Sequence, residues 1–507
     1  MARYSNKMLQ KLQNGSDIRG VALKGIPGED VNLTPEVATQ LGRAFAIWLN
    51  KKIKGARKVA VGTDSRISGA ALKEAFISGL LDEGFDVMDC GLASTPAMFM
   101  TTIHPDHGVD GAVMLTASHL PFNRNGMKFF TAKGGFDKAD VRELLHLAAE
   151  KRPESGLDEG HREKLDFISE YSAFLVDIIR KEVNDPDHKQ TPLQGLKIIV
   201  DAGNGAGGFF AAKVLEPLGA DTSGSQFLVP DGRFPNHVPN PEDGEAMASI
   251  CEAVVREKAD LGIIFDTDVD RSALVDAAGN AINRNELIAL ISTVVLEEHP
   301  GSAIVTDSIT SAGLKWFIEE HLKGVHHRFK RGYKNVINES IRLNKEGSES
   351  WLAIETSGHA ALKENHFLDD GAFLVAKLLI RMAKLNREGK SLGDLISPLP
   401  RTLESGEYRL KIGAKDFATY GSSVLEQLGK MLKSEDGWSH ETPNYEGIRI
   451  QCKEKEEAGW FLLRMSLHDP VMPLNIESSV EGGVDRIRIR LQKLLSGFKE
   501  LDITAIK

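Results

Sequence analysis

Three aspartates, Asp266, Asp268 and Asp270, follow the apolar run Leu261 to Phe265 at every second position, and Arg271 comes directly after them. Side chains two apart share one face of an extended segment, so the three carboxylates converge if the strand geometry persists. Acceptor-only groups that close repel one another unless a cation lies between them, and an all-oxygen donor set suits Mg²⁺. An EF-hand calcium loop is excluded, because its sixth position would be Arg271 instead of glycine and its twelfth Ala277 instead of glutamate. A solvated acidic turn is the plain alternative.

Mg²⁺ usually completes its octahedron with water and a phosphate oxygen, so a phosphate is expected nearby. The stretch GAVMLTASHLPFNRNGMKFF offers a place for one: the buried-strand pattern Ala112 to Leu115 delivers Ser118 and His119 into a loop of Pro, Asn and Gly. Neighbouring residues of an extended segment face opposite ways, so His119 is badly placed as a base for Ser118, and a Ser-His hydrolase pair is not indicated. A phosphorylated Ser118 needs no such base and would carry roughly two negative charges with three acceptor oxygens. A serine that simply caps a helix is the ordinary reading of TASH in isolation.

Two further stretches carry convergent polar groups. In WLAIETSGHAALKENHF, Glu355, Ser357 and His359 alternate after a short apolar strand; a glutamate beside a hydroxyl grips vicinal sugar hydroxyls, and a histidine with a near-neutral pKa can share proton transfer. In LLRMSLHDP, Arg464, Ser466 and His468 form a candidate anion cradle. Gly203, Gly205 and Gly208 have the GxGxxG spacing of a dinucleotide loop. No acidic residue ends a clear second strand about 20 residues on, since Asp221 is followed by TSGSQ.

The elements that position these groups alternate. Thr34-Pro35-Glu36 before Val37, Leu41, Phe45 and Trp48 opens the first helix; KVAVGTD, GAALKEAFISGLLDEG and DVMDCG follow as strand, helix and strand. A polar stretch at 181–192 reads as a linker, and the alternation restarts at LKIIVDAGNGAGGFF and at GSAIVTDSITSAGL. Beyond about 401 come the short alternating segments ESGEYRLKI, YEGIRIQCK, GWFLLRMS and DRIRIRL, all read as strands. The expected fold is α/β: three similar α/β domains with mixed sheets and a C-terminal α+β domain around a central cleft, bounded at 1–188, 189–298, 299–401 and 402–507. The length of 507 residues agrees with three or four domains at about 150 residues each.

Composition excludes several classes. The formal charge of −10 gives no global basic field for nucleic acid, and Cys90, Cys251 and Cys452 make neither a disulfide framework nor a metal spacing. No apolar run approaches the ~18 residues that span a bilayer, and the N-terminal stretch has no secretory apolar core. A cytoplasmic protein is expected, or one of the plastid stroma if a transit peptide has been removed.

Taken together and in this order, TASHLPFNRNGMK, DTDVDR, ETSGH and RMSLHDP resemble the phosphoserine, metal, sugar and phosphate loops of the α-D-phosphohexomutase family. DIRG, TDSRISG, DAGNGAGG and FPNHVPNP match its framework segments, so the resemblance covers nearly the whole chain. It implies a phosphoglucomutase or phosphomannomutase that moves a phosphoryl group between the 1- and 6-positions of a hexose through phosphoserine and a hexose 1,6-bisphosphate, with that bisphosphate as activator. It further implies Ser118 as carrier, Asp266, Asp268 and Asp270 with Ser118 as Mg²⁺ ligands, and Arg271 beside the metal. Arg19 and Arg66 would add positive charge near the serine, Lys128 and His359 would act as general acid and base, Glu355 and Ser357 would bind sugar hydroxyls, and Arg464, Ser466 and His468 would hold the non-reacting phosphate.

Some positions depart from the family pattern: Thr267 and Val269 replace glycine and alanine, Ile354 and Leu120 replace glycine and asparagine, and His468, Asp469 and Pro473 replace threonine, glutamate and an arginine. An aminosugar mutase, a bisphosphate-forming variant or a weakly catalytic phosphosugar-binding regulator are the alternatives. A small phosphosugar is the expected partner, with no nucleic acid or membrane, and the chain is expected to act as monomer or homodimer.

Overall fold

A computed structural model describes residues 6–150, 160–466 and 469–507. Its contacts divide the chain into two compact units, one formed by the chain up to Asn283 with Ser357–Gly393, the other by Arg284–Thr356 with Asp394–Lys507.

In the first unit a mixed sheet has the central order Asp17–Val21, Arg124–Thr131, Gly111–Leu115, Lys58–Thr63, Asp86–Leu92. The strands Lys58–Thr63, Gly111–Leu115 and Asp86–Leu92 are parallel, and Arg124–Thr131 runs back antiparallel with Lys128 opposite Met114. Every residue of Gly111–Leu115 is buried, the continuous apolar run that a strand covered on both faces requires. A short helix, Asn6–Gln10, precedes the Thr34-capped helix Pro35–Lys52, so the helix expected to be the first is the second among the described residues.

Helices Pro35–Lys52 and Gly69–Leu81 cross at Gly42 and Gly79: a Cβ on Gly79 would meet the Thr39 carbonyl oxygen at 2.2 Å, and one on Gly42 the Phe76 oxygen at 2.2 Å. Backbone cannot yield as a flexible side chain does. Gly79→Ala is therefore expected to destabilise the first unit by about 1–3 kcal/mol, read as a lower midpoint in urea unfolding.

A second sheet of this unit has the order Ala281–Ile282, Ser272–Asp276, Leu261–Phe265, Ile198–Asp201. Leu261–Phe265 pairs parallel with Ile198–Asp201 and antiparallel with Ser272–Asp276, so residues 266–271 form the tight connection of an antiparallel pair. The glycine run of residues 203–208 supports that connection. A Cβ on Gly205 would lie 2.7 Å from the Thr267 carbonyl oxygen, and the Ala206 amide donates to the same oxygen at 2.8 Å. Close backbone packing thus explains the GxGxxG spacing without a dinucleotide.

His237, from FPNHVPNP, is buried against the same run. Its Nε2 lies 3.0 Å from Asp201 Oδ2 and its Nδ1 2.9 Å from the Val238 carbonyl, so both ring nitrogens face acceptors. Burial opposes the charge, yet Asp201 and the carbonyl raise the His237 pKa above its ordinary value. A histidine pKa raised by folding contributes stability that is fully present below the unfolded pKa of about 6.5 and is lost as pH rises through the folded value. Thermal midpoints are expected to fall by a few degrees across that alkaline window, and His237→Gln should flatten the slope there.

The second unit contains a parallel set, Val325–Arg328, Ala303–Thr306 and Ser350–Ile354, and a wholly antiparallel six-stranded sheet. That sheet runs Trp438–His440, Ile448–Cys452, Gly459–Leu463, Val471–Ser478, Glu404–Ile412, Leu501–Asp502. DRIRIRL is not one of its strands: it lies in the helix Gly483–Leu495. Val484, Ile487, Leu491 and Leu495 are buried at helical spacing while Ile489 is 45% exposed, so the wider 3.6-residue period overrides the local alternation.

Candidate active site

The first unit gathers most of the residues singled out above. Ser118 leaves the strand Gly111–Leu115 with φ of 51°, a left-handed turn that swings its hydroxyl off the strand direction. Its Oγ lies 3.1 Å from Asp266 Oδ2 and 3.0 Å from an Arg271 nitrogen. The same turn brings His119 Nδ1 to 3.2 Å from Ser118 Oγ, which strand alternation did not anticipate. Arg271 also reaches His119 Nδ1 at 2.6 Å; burial and that guanidinium push the His119 pKa down to about 3. His119 is thus a neutral acceptor that orients its neighbours and a poor base, so the pair remains unlike a hydrolase dyad.

Arg66 builds the serine loop. Its guanidinium donates to the carbonyl oxygens of Leu120 at 2.6 Å, Pro121 at 2.8 Å and Arg124 at 3.0 Å, and also to that of Ser118. Asp64 lies beneath it at 3.3 Å. Arg19 pairs with Asp17 at 2.9 Å and donates to the Thr116 carbonyl oxygen. Arg66 acts through its fixed charge and the loop shape it imposes, since both its terminal nitrogens donate to backbone oxygens.

Asp266, Asp268 and Asp270 are all buried, and an oxygen from each lies within 4.8 Å of the others. Val269 between them has φ of 67°, a genuine outlier for a β-branched residue, and the twist closes the cluster after the strand has ended at Phe265. Lys128 Nζ bridges Asp268 Oδ2 at 2.8 Å and Asp270 Oδ2. Asp268 Oδ1 and Asp270 Oδ1 are buried and accept no hydrogen bond from the described residues. Buried carboxylate oxygens left without a donor, in an all-oxygen cluster beside a serine hydroxyl, fit a divalent cation of the Mg²⁺ kind.

His359 Nδ1 lies 2.6 Å from Asp369 Oδ2 and 3.8 Å from Asp270 Oδ1. Burial disfavours its charge, but Asp369 and Asp270 raise its pKa to about 9, above the near-neutral value expected from sequence. Burial likewise disfavours the Lys128 charge, and Asp268 and Asp270 overcome it, holding the ammonium firmly protonated. Both candidates therefore stand as proton donors. Ser357 is buried in this unit and its hydroxyl makes no hydrogen bond.

Partners invisible in the motifs complete the centre: Thr95 Oγ1 donates to Asp268 Oδ2 at 2.5 Å, and Asn240 Oδ1 accepts from Arg271 at 3.1 Å. Asn240 stands in the framework segment FPNHVPNP, whose prolines and asparagines were the only local signal.

Glu355, Arg464 and Ser466 belong to the second unit; His468 lies outside the described residues. Glu355 Oε1 accepts from the Gly332 amide at 2.6 Å. Arg464 is buried, its Nε makes no hydrogen bond among the described residues, and burial followed by Glu446 and Arg331 sets its pKa, with a net lowering. Arg331, which sequence reading did not single out, is thus a second cation close to Arg464. Among the described residues no helix is long and apolar enough to cross a membrane.

A buried serine hydroxyl beside an acidic triplet and an arginine, on mixed α/β sheets, is chemistry suited to phosphoryl transfer. The three α/β/α domain models of phosphoglucomutase/phosphomannomutase match residues 10–154, 172–279 and 283–403. A phosphomannomutase/phosphoglucomutase of Pseudomonas syringae pv. tomato is 32% identical over 93% of this chain and 92% of its own. A phosphoglucomutase/phosphomannomutase of Thermococcus kodakarensis is 31% identical over 90% and 94%. A crystal structure of a family protein from Burkholderia thailandensis matches with TM-score 0.77 and 26% identity over 98% of both chains. The chain belongs to the phosphoglucomutase/phosphomannomutase family, isomerases that work by phosphoryl transfer.

Proposed function

We propose that the protein interconverts the 1- and 6-phosphates of glucose or mannose, with Ser118 as the phosphoryl carrier. The observation that supports this most directly is Ser118 Oγ at hydrogen-bond distance from both Asp266 and Arg271 within one compact unit. A serine so placed has two acceptors at its hydroxyl: His119, which is neutral and weakly basic, and Asp266, which is assigned to the metal rather than to proton transfer. It suits a group that enters already phosphorylated and gives its phosphoryl group away.

Asp266, Asp268, Asp270 and Ser118 would hold Mg²⁺, which supplies charge stabilisation to the transferring group. Arg271 holds the Ser118 hydroxyl in place and offers positive charge at the same oxygen. Lys128 or His359, both protonated, would give a proton to the departing oxygen and, once deprotonated, would take the proton of the attacking hydroxyl, so that each transfer leaves the pair as it began. Glu355 is assigned to sugar hydroxyls, and Arg464 with Ser466 and His468 to the phosphate that is not reacting. Hexose 1,6-bisphosphate would prime the serine.

Pro473 favours a second reading, an aminosugar mutase. It stands in the strand Val471–Ser478 where the resemblance leads one to expect arginine, so the phosphate cradle of the second unit has one cation fewer. A coupled assay with Mg²⁺ and bisphosphate primer separates the two, comparing glucose 1-phosphate, mannose 1-phosphate and N-acetylglucosamine 1-phosphate. Turnover of glucose or mannose phosphate at least about tenfold faster than the aminosugar is the expected outcome. Preference for the aminosugar would overturn the assignment in favour of the second reading.

A further inference from the structure

Outside the catalytic centre, two histidines and a glutamate meet across two elements of the first unit. The helix Thr95–Thr101 ends in a turn that carries His104 and His107; Glu170 stands in the first turn of the helix Phe167–Val183. Glu170 Oε2 lies 2.7 Å from His107 Nε2 and 3.8 Å from His104 Nε2, and the three side chains have donor atoms within 4.8 Å of one another. We propose that His104, His107 and Glu170 form a second divalent-metal site, one that takes Zn²⁺ or a similar transition ion.

The donor chemistry separates this site from the aspartate triplet. Two imidazoles and one carboxylate match borderline metals such as Zn²⁺, Co²⁺ and Ni²⁺, whereas Mg²⁺ and Ca²⁺ prefer oxygen alone. The geometry is close to complete. Metal-ligand distances of about 2.0–2.2 Å in a tetrahedron put donor atoms about 3.3 Å apart, so the 2.7 Å pair opens slightly and the 3.8 Å pair closes by a similar amount.

The rings are held before any metal arrives. Their centroids are 4.7 Å apart at 33°, and the edge of Phe167 packs on both, at 5.6 Å from His104 and 5.7 Å from His107. Phe167 and Glu170 are three apart on the helix, so one helical face supplies both the wall and the carboxylate. The hydrogen bond that His104 gives up is long: its Nδ1 accepts from the Asp106 amide at 3.4 Å, and ligation through Nε2 moves the ring proton to Nδ1. Side-chain exposures of 30%, 14% and 39% leave an open position for water or an outside ligand.

The site ties the C-terminal end of the helix Thr95–Thr101 to the helix Phe167–Val183, while Thr95 at the other end of that short helix is bonded to Asp268. Metal bound here clamps an element whose opposite end forms part of the catalytic wall.

Untagged, chelator-treated protein in millimolar Mg²⁺, which saturates the aspartate triplet, would be titrated with ZnCl₂ by calorimetry and with CoCl₂ by visible absorption. The expected result is a single equivalent bound at micromolar concentration with the intense tetrahedral Co²⁺ bands, and a Zn²⁺-dependent rise in thermal midpoint. His107→Ala and His104→Gln should each weaken binding at least about tenfold and abolish the bands, while Asp268→Asn leaves them unchanged. Circular dichroism confirms that each variant is folded; the two histidine variants serve as independent checks. Unchanged binding in both folded histidine variants, or no binding by the parent protein at micromolar Zn²⁺, overturns the proposal.

Discussion

Ser118→Ala is expected to abolish turnover of every hexose phosphate, by about 10⁴-fold or more, while leaving the fold in place. The hydroxyl is the only atom lost. Asp266 and Arg271 keep their own pairing at 3.2 Å, and His119 keeps its bond to Arg271, so no buried charge is left without a partner. The change in stability should stay within about 1 kcal/mol. Intact mass adds a readout that activity alone lacks: the parent protein incubated with hexose 1,6-bisphosphate should gain one phosphoryl mass, and the alanine variant none. A variant that still turns over substrate, or still takes up the phosphoryl group, would show that another residue is the carrier.

Lys128→Met should have the largest effect on stability. Its ammonium is the closest cation to Asp268 and Asp270; beyond it Thr95 donates to Asp268, and His359 and Arg271 stand 3.8 and 3.9 Å from Asp270. Removing one partner of a buried charge pair costs about 3–5 kcal/mol, because the charges left behind are uncompensated. In chelator, urea unfolding of the variant should show that full loss. In millimolar Mg²⁺ part of it should be restored, since a cation among the same carboxylates takes over the neutralising role. A loss of equal size with and without Mg²⁺ would argue that the aspartate triplet holds no cation. In millimolar Mg²⁺ turnover should fall, as one of the two proton donors is gone.

The carriers of chemistry were legible because they are local. Ser118, the three aspartates and Arg271 sit at the ends of short apolar runs, and an apolar run followed by clustered polar residues is visible in one dimension. Their partners are not local. Thr95 reaches Asp268 across 173 positions and Asn240 reaches Arg271 across 31, and no spacing in the sequence encodes such meetings. His119 was misplaced for another reason: alternation holds only while the backbone is extended, and Ser118 at φ 51° ends it. The same limit applies to DRIRIRL, where seven residues satisfy a period of two by themselves but belong to a thirteen-residue helix whose buried face needs the longer window.

The charges buried around Ser118 nearly cancel. Asp64, Asp268, Asp270 and Asp369 are met by Arg66, Lys128, Arg271 and His359, while burial and the neighbouring Asp270 and Asp268 raise the Asp266 pKa and favour its neutral form. On the proposed reading, a phosphoryl group entering alone would upset that balance by roughly two negative charges, and a divalent cation entering alone by two positive ones. Entering together, they leave the buried charge as it was. Cation and phosphoryl occupancy are then two halves of one equilibrium, and by reciprocity each raises the affinity for the other by the same factor. A protein built this way binds its metal more tightly when the serine carries phosphate than when it does not.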